Sequence, residues 1–143
     1  MKGRTTSSAE ETMQTASEFA STLRGGDIVL LHGDLGAGKT TFVKGLAQGL
    51  NIKDDITSPT FSLMNVYDVE QADIQNLVHI DTYRLESERD LIEIGIEDYL
   101  GNSHTITVIE WPEKIGKLLK NKETKNVSLS HVTESERSII IKE

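Results

Sequence analysis

The chain has 143 residues, 36% of them hydrophobic and 5% aromatic, and no Cys. That is material for one domain spanning residues 1–143, and it excludes disulfide frameworks, Cys-ligated zinc, iron–sulfur clusters and thiol catalysis. The formal net charge is −8, and between Asp54 and Asp98 twelve carboxylates accompany only two basic residues, Arg84 and Arg89; so acidic a surface repels phosphate backbones and argues against unaided tight binding of nucleic acid.

Met1 to Glu11 is polar, without the apolar core of a signal peptide, and no apolar run approaches the ~18 residues needed to cross a bilayer. The expectation is a cytoplasmic protein with no membrane contact. Ser8-Ala9-Glu10-Glu11 fits a capping box, and Ala9, Met13, Ala16, Ala20 and Leu23 then recur at helical spacing up to Gly25-Gly26. Ile28–Leu31 is a short continuous apolar run, the signature of a buried parallel strand. After a glycine-rich turn, Phe42, Val43, Leu46, Ala47 and Leu50 mark a helix over Thr41–Leu50.

Further strands are expected at Leu63–Val69, Leu77–Asp81 and Thr105–Glu110, with helices at Glu88–Ile94 and Glu113–Leu119. Val127–Val132 and Ile139–Lys142 read as a hairpin turning at Thr133-Glu134-Ser135-Glu136. Strands alternating with helices predict an α/β fold, a mostly parallel sheet flanked by helices, with the hairpin adding antiparallel strands at one edge.

Gly33-Asp34-Leu35-Gly36-Ala37-Gly38-Lys39-Thr40 matches G-x-x-x-x-G-K-[ST], preceded by a strand and followed by a helix. Each residue type answers a chemical need. The glycines let the backbone turn sharply and aim N–H groups at phosphate oxygens. Lys39 supplies a mobile cation, Thr40 a hydroxyl for Mg²⁺, and the helix start a positive dipole end. The fold class is therefore P-loop NTPase-like, and the site is one for a nucleoside triphosphate.

Mg²⁺ also needs one or two carboxylates, and Asp81 and Glu110 each close an apolar strand. Thr57-Ser58-Pro59-Thr60 lies where a nucleotide-responsive switch would sit, with Thr60 its foremost hydroxyl.

The P-loop with Thr41, then Ser58-Pro59-Thr60-Phe61, His79-Ile80-Asp81-Thr82-Tyr83-Arg84-Leu85 and Glu110-Trp111-Pro112-Glu113 together closely resemble the TsaE (YjeE) family, over roughly residues 8 to 140. These are small bacterial P-loop ATPases required for the threonylcarbamoyladenosine (t6A) modification of tRNA. The resemblance implies that Lys39 binds phosphate and that Thr40 and Glu110 hold Mg²⁺. It implies that Asp81 is the Walker B-type acid, near Mg²⁺ or positioning the attacking water. Thr60 would be the switch residue, Trp111 the aromatic beside the nucleotide, and Thr12 a threonine near the adenine. It further implies ATP as substrate, ADP as product, the TsaB–TsaD heterodimer as partner, and tRNA contacted only indirectly.

Two other classes fit a P-loop. A small-molecule kinase would place several arginines over the transferring phosphate, and only Arg84 and Arg89 lie between residues 54 and 112. A nucleotide-gated switch of the GTPase kind would carry N-K-x-D, whereas Asn121-Lys122-Glu123-Thr124 has Thr in the last place, which favours ATP over GTP. His32, His79, His104 and His131 have no metal-binding spacing and read as satisfied or exposed histidines. The lysines from Lys114 to Lys125 read as a solvated helix face.

Overall fold

The structure, a computed structural model, describes residues 2–34, 36–59 and 63–143. Among these, seven strands make one sheet: β1 (Lys2–Thr6), β2 (Ile28–His32), β3 (Met64–Asp68), β4 (Asn76–Asp81), β5 (Thr105–Glu110), β6 (Lys125–His131) and β7 (Arg137–Lys142). Their spatial order is β1-β7-β6-β2-β5-β4-β3. The helices are α1 (Ala9–Ala20), α2 (Lys39–Gly49), α3 (Glu88–Glu93) and the short α4 (Gly116–Leu119), with 3₁₀ turns at Ile96–Asp98 and Pro112–Ile115.

The central ladders β6–β2, β2–β5 and β5–β4 are parallel. Helical crossovers join these strands, as parallel neighbours require. Short connections instead produce antiparallel pairs: β3 runs into β4, and β6 turns back into β7. Antiparallel strands therefore close both edges of the sheet, not one as the sequence suggested. The second surprise is β1, which pairs with β7 at the far edge. Its sequence, Lys-Gly-Arg-Thr-Thr, is polar because an edge strand has little to bury.

Period-two alternation along β2 splits the core into two layers. Val29 and Leu31 pack with Leu77, Ile106, Val108 and Val127 beneath α1 and α2, whose Phe19, Phe42 and Leu46 fill that side. Ile28 and Leu30 pack with Val78, Ile80 and Ile109 against Leu91, Ile96 and Ile115 on the other side. Ser8 caps α1 through its hydroxyl, which accepts from Glu11 N at 3.1 Å. The Glu11 carboxylate returns to Ser7 N at 3.0 Å, one residue earlier than in the standard box. The helix expected over Glu113–Leu119 is divided into a 3₁₀ turn over Pro112–Ile115 and α4, because Ile115 leaves helical geometry at φ −125° and ψ 38°.

The two helices of the first layer approach closely at Gly45. A Cβ there would lie 2.4 Å from Met13 O and 2.6 Å from the Ala16 Cβ. Gly45→Ala should force the helices apart and cost about 1–3 kcal/mol, as other overpacked cores do. Thermal melting monitored by circular dichroism would read this as a lower Tm. Gly116→Ala, where a Cβ meets nothing within 4 Å, should melt like the wild type.

Candidate functional site

Because β2, β4 and β5 are parallel, their C-terminal ends His32, Asp81 and Glu110 lie along one edge of the sheet, the usual ligand side of such folds. From β2 the chain enters the glycine loop. Gly36 and Gly38 take φ values of 80° and 101°, which residues with a side chain adopt only with strain. Gly38 caps α2 without any side-chain acceptor, so the open N–H groups of the first turn remain for an anion. Leu35, expected as part of this loop, lies outside the described residues.

Lys39 is 5% exposed. Its Nζ donates to Gly33 O at 2.6 Å and sits 3.5 Å over the centre of the Trp111 ring. Burial pushes its pKa below the ordinary lysine value, while Glu110, Asp81, Glu113 and Asp34 pull the other way. Trp111 is fixed in turn. The Thr82 hydroxyl donates to Glu110 O at 3.0 Å and to Trp111 O, and the Tyr83 ring lies 5.1 Å from the Trp111 ring. Lys114 donates from Nζ to Tyr83 O, bracing the segment from below.

Asp81 and Glu110 are register partners across the β4–β5 ladder. Asp81 Oδ1 accepts from Tyr83 N at 3.0 Å. Burial nonetheless raises the Asp81 pKa, that hydrogen bond being the main opposing influence. Glu110, buried, has Oε2 2.6 Å from His79 Nε2. The Thr40 hydroxyl is 2.9 Å from the Ser58 hydroxyl. Glycines 36 and 38, Lys39, Thr40, Thr41, Ser58, Asp81, Tyr83, Glu110 and Trp111 line one cleft of about 310 Å³.

Two strand-end carboxylates and a hydroxyl suit Mg²⁺, which takes few protein ligands and completes its shell with phosphate and water. No group of three or more His, Cys, Asp or Glu able to hold a metal occurs among the described residues.

The structure thus gathers Lys39, Thr40, Thr41, Asp81, Glu110 and Trp111 in one place, with Ala37 buried and Asp34 exposed in the loop beside them. Thr60 lies outside the described residues, but its neighbour Ser58 reaches Thr40. Thr12 is not among the cleft residues; its buried hydroxyl is 2.7 Å from that of Thr6. Arg84 is exposed and makes no ion pair among the described residues.

Four residues at or beside the cleft had no site role assigned from sequence: Ser58 and Tyr83, which appear there only within motifs, His79, read as a satisfied or exposed histidine, and Arg137. His79 carried a readable signal, since period two along β4 puts it on the same face as Asp81. Arg137 carried none. It donates to the carbonyls of Thr133, Glu134 and Glu136 at the hairpin tip, and at 3.4 Å to Gly36 O of the P-loop.

The family model described as "Threonylcarbamoyl adenosine biosynthesis protein TsaE" matches residues 6–139. The chain belongs to the TsaE family. It is 39% identical over 134 residues to a TsaE of Treponema pallidum, covering 94% of this chain and 95% of that one. To a Bacillus subtilis TsaE it is 35% identical over 130 residues, 91% of this chain and 78% of the relative. The crystal structure of Bacillus subtilis YdiB superimposes with a TM-score of 0.78 at 30% identity, covering 96% of this chain and 82% of that one. The TsaE family acts in biosynthesis of tRNA threonylcarbamoyladenosine. The P-loop NTPase-like α/β architecture agrees with the YdiB likeness. No helix among the described residues is long and apolar enough to cross a membrane.

Proposed function

We propose that this TsaE-family chain is a cytoplasmic, Mg²⁺-dependent ATPase that serves the TsaB–TsaD transferase in t6A modification and meets tRNA only indirectly. The observation that carries this reading is the meeting of Lys39, Thr40, Asp81 and Glu110 in one cleft at the C-terminal sheet edge. Lys39 and the α2 N-terminus neutralise the β- and γ-phosphates. Thr40 and Glu110 would hold Mg²⁺, with Asp81 beside them at its water shell or on the attacking water. When bound, the ion withdraws charge from the phosphate oxygens and so eases cleavage of the terminal P–O bond. Water adds to the γ-phosphorus, ADP leaves, and inorganic phosphate is the second product. Trp111 stands beside Lys39 as the aromatic wall of the site.

Phosphate release from ATP, measured alone and with TsaB–TsaD, tests the reading. Chelation of Mg²⁺ should reduce release to background, and label should pass from the γ-phosphate to water. Transfer to a metabolite would favour a kinase, a reading for which only Arg84, which is exposed, and Arg89 are at hand between residues 54 and 112.

The hairpin contact gives a milder prediction. Arg137→Ala removes the donor on Gly36 O and loosens the hairpin tip. At about 1 kcal/mol for such a bond, nucleotide affinity should fall roughly fivefold with the fold kept. Trp111, the chain's one tryptophan, provides the fluorescence signal for that titration.

A further inference from the structure

His79 is fully buried in the middle of the apolar strand β4. A buried imidazole is costly unless bonded, and a parallel strand of this kind favours Val or Ile at such a place. Among the described residues its one side-chain hydrogen bond goes to Glu110. In register His79 pairs with Val108, so Glu110 is the diagonal neighbour, two residues further along β5 on the same face.

We propose that His79 is a positioning residue for Glu110: its Nε2–H holds Oε2 at 2.6 Å and leaves Oε1 directed at the cleft that Glu110 lines. The carboxylate oxygen accepts, so the ring nitrogen donates. His79 Nδ1 has no partner among the described residues. A hydrogen there would be a buried donor with no acceptor, which selects the tautomer bearing its hydrogen on Nε2. The ring cannot turn away, because the strand interior encloses it completely. Glu110 is therefore fixed before any ligand arrives, as outer-shell partners fix the ligands of metal sites. The Thr82 hydroxyl on Glu110 O secures the backbone of the same residue, so side chain and main chain are both restrained.

The inference rests on the proposed Mg²⁺-dependent nucleotide site and goes beyond it. It is tested on the full chain by titrating Mg²⁺ at saturating ATPγS and following Trp111 fluorescence. His79→Phe keeps a planar aromatic ring, somewhat larger than imidazole, and loses the donor; it should raise half-saturating Mg²⁺ at least about tenfold, the usual cost of losing an outer-shell partner. ATPγS affinity without Mg²⁺ should stay within about twofold, since no phosphate ligand has changed. His79→Gln, which restores an N–H at a similar reach, should recover most of the loss.

A His79→Phe protein within twofold of wild type overturns the proposal, and so does a His79→Gln protein as impaired as His79→Phe. In wild-type protein, long-range ¹H–¹⁵N spectra should place the His79 hydrogen on Nε2; a bare Nε2 with Nδ1–H overturns the assignment even where the Phe variant does not fold. A wild-type chain whose Trp111 signal ignores ATPγS and Mg²⁺ removes the proposed function and this inference together. A responsive wild type matched by His79→Phe removes this inference alone.

Discussion

Lys39→Met is expected to lower ATP hydrolysis by about 10²–10³-fold or more, the range seen when one preorganised charge-stabilising group is removed, while the ligand-free protein melts no lower than wild type. The two halves of that result have one cause. Lys39 is buried, and burial outweighs its attractions to Glu110 and Asp81, so its folded-state pKa lies below the ordinary 10.5. The folded protein thus holds the ammonium at a cost that the unfolded chain does not bear. Met fills a similar volume without a charge. It gives up the bond to Gly33 O and the contact with Trp111, but it also gives up the desolvation.

The sign can be checked against pH. Above its lowered folded pKa, Lys39 has lost its proton in the folded state while the unfolded chain still binds one, so wild-type stability should rise with pH from there up to the ordinary lysine value. Melting curves across the alkaline range should contain this rise for wild type and lack it for Lys39→Met. A variant that melts well below wild type at every pH would mean that the Gly33 and Trp111 contacts outweigh burial. Retained hydrolysis would remove Lys39 from the chemistry.

The same balance explains which parts of the molecule were legible from sequence. The central strands and both long helices were readable because each has a strong pattern: Ile28–Leu31 is apolar, Thr105–Ile109 is β-branched throughout, and α1 and α2 carry stripes at helical spacing. Lys39, Thr40, Asp81 and Glu110 could be picked out as candidates because a phosphate and Mg²⁺ site would use those residue types at strand ends and in a glycine turn, and all four line one cleft. Polar β1 was not, since its pairing with β7 comes from a strand more than 130 residues away and not from its own pattern. The antiparallel β3 was found as a strand but not in its direction, which depends on the short link to β4.

At the site, side-chain partnerships were the hidden part. Nothing in one sequence says that Ser58 meets Thr40, or that Arg137 reaches Gly36 across the sheet. Trp111 was placed beside the nucleotide by resemblance alone. Its left-handed backbone and its position under Lys39 are tertiary facts, set by Thr82, Tyr83 and Pro112.

Asp81→Asn and Glu110→Gln are each expected to reduce hydrolysis by about 10²–10³-fold, yet the alanine variants at these two positions should part company in stability. Glu110 is buried against His79 Nε2. Glu110→Ala would leave that nitrogen buried without a partner, at about 1–3 kcal/mol, whereas Glu110→Gln retains an oxygen to accept from it. Asp81 is half-buried and, among the described residues, its carboxylate accepts from Tyr83 N. Its raised pKa means that the folded state disfavours the charged carboxylate relative to the unfolded chain. Its stabilising contribution is therefore complete below the ordinary value of 3.8 and is lost as pH rises through the raised folded value. Asp81→Asn should flatten that part of the pH–stability curve and melt at or above wild type near neutrality. Parallel denaturant titrations of the four variants check the split. Equal destabilisation by Asp81→Ala and Glu110→Ala would mean that the His79 contact contributes nothing to the fold. Wild-type hydrolysis by both Asp81→Asn and Glu110→Gln would mean that the strand-end carboxylates do not serve the phosphate site.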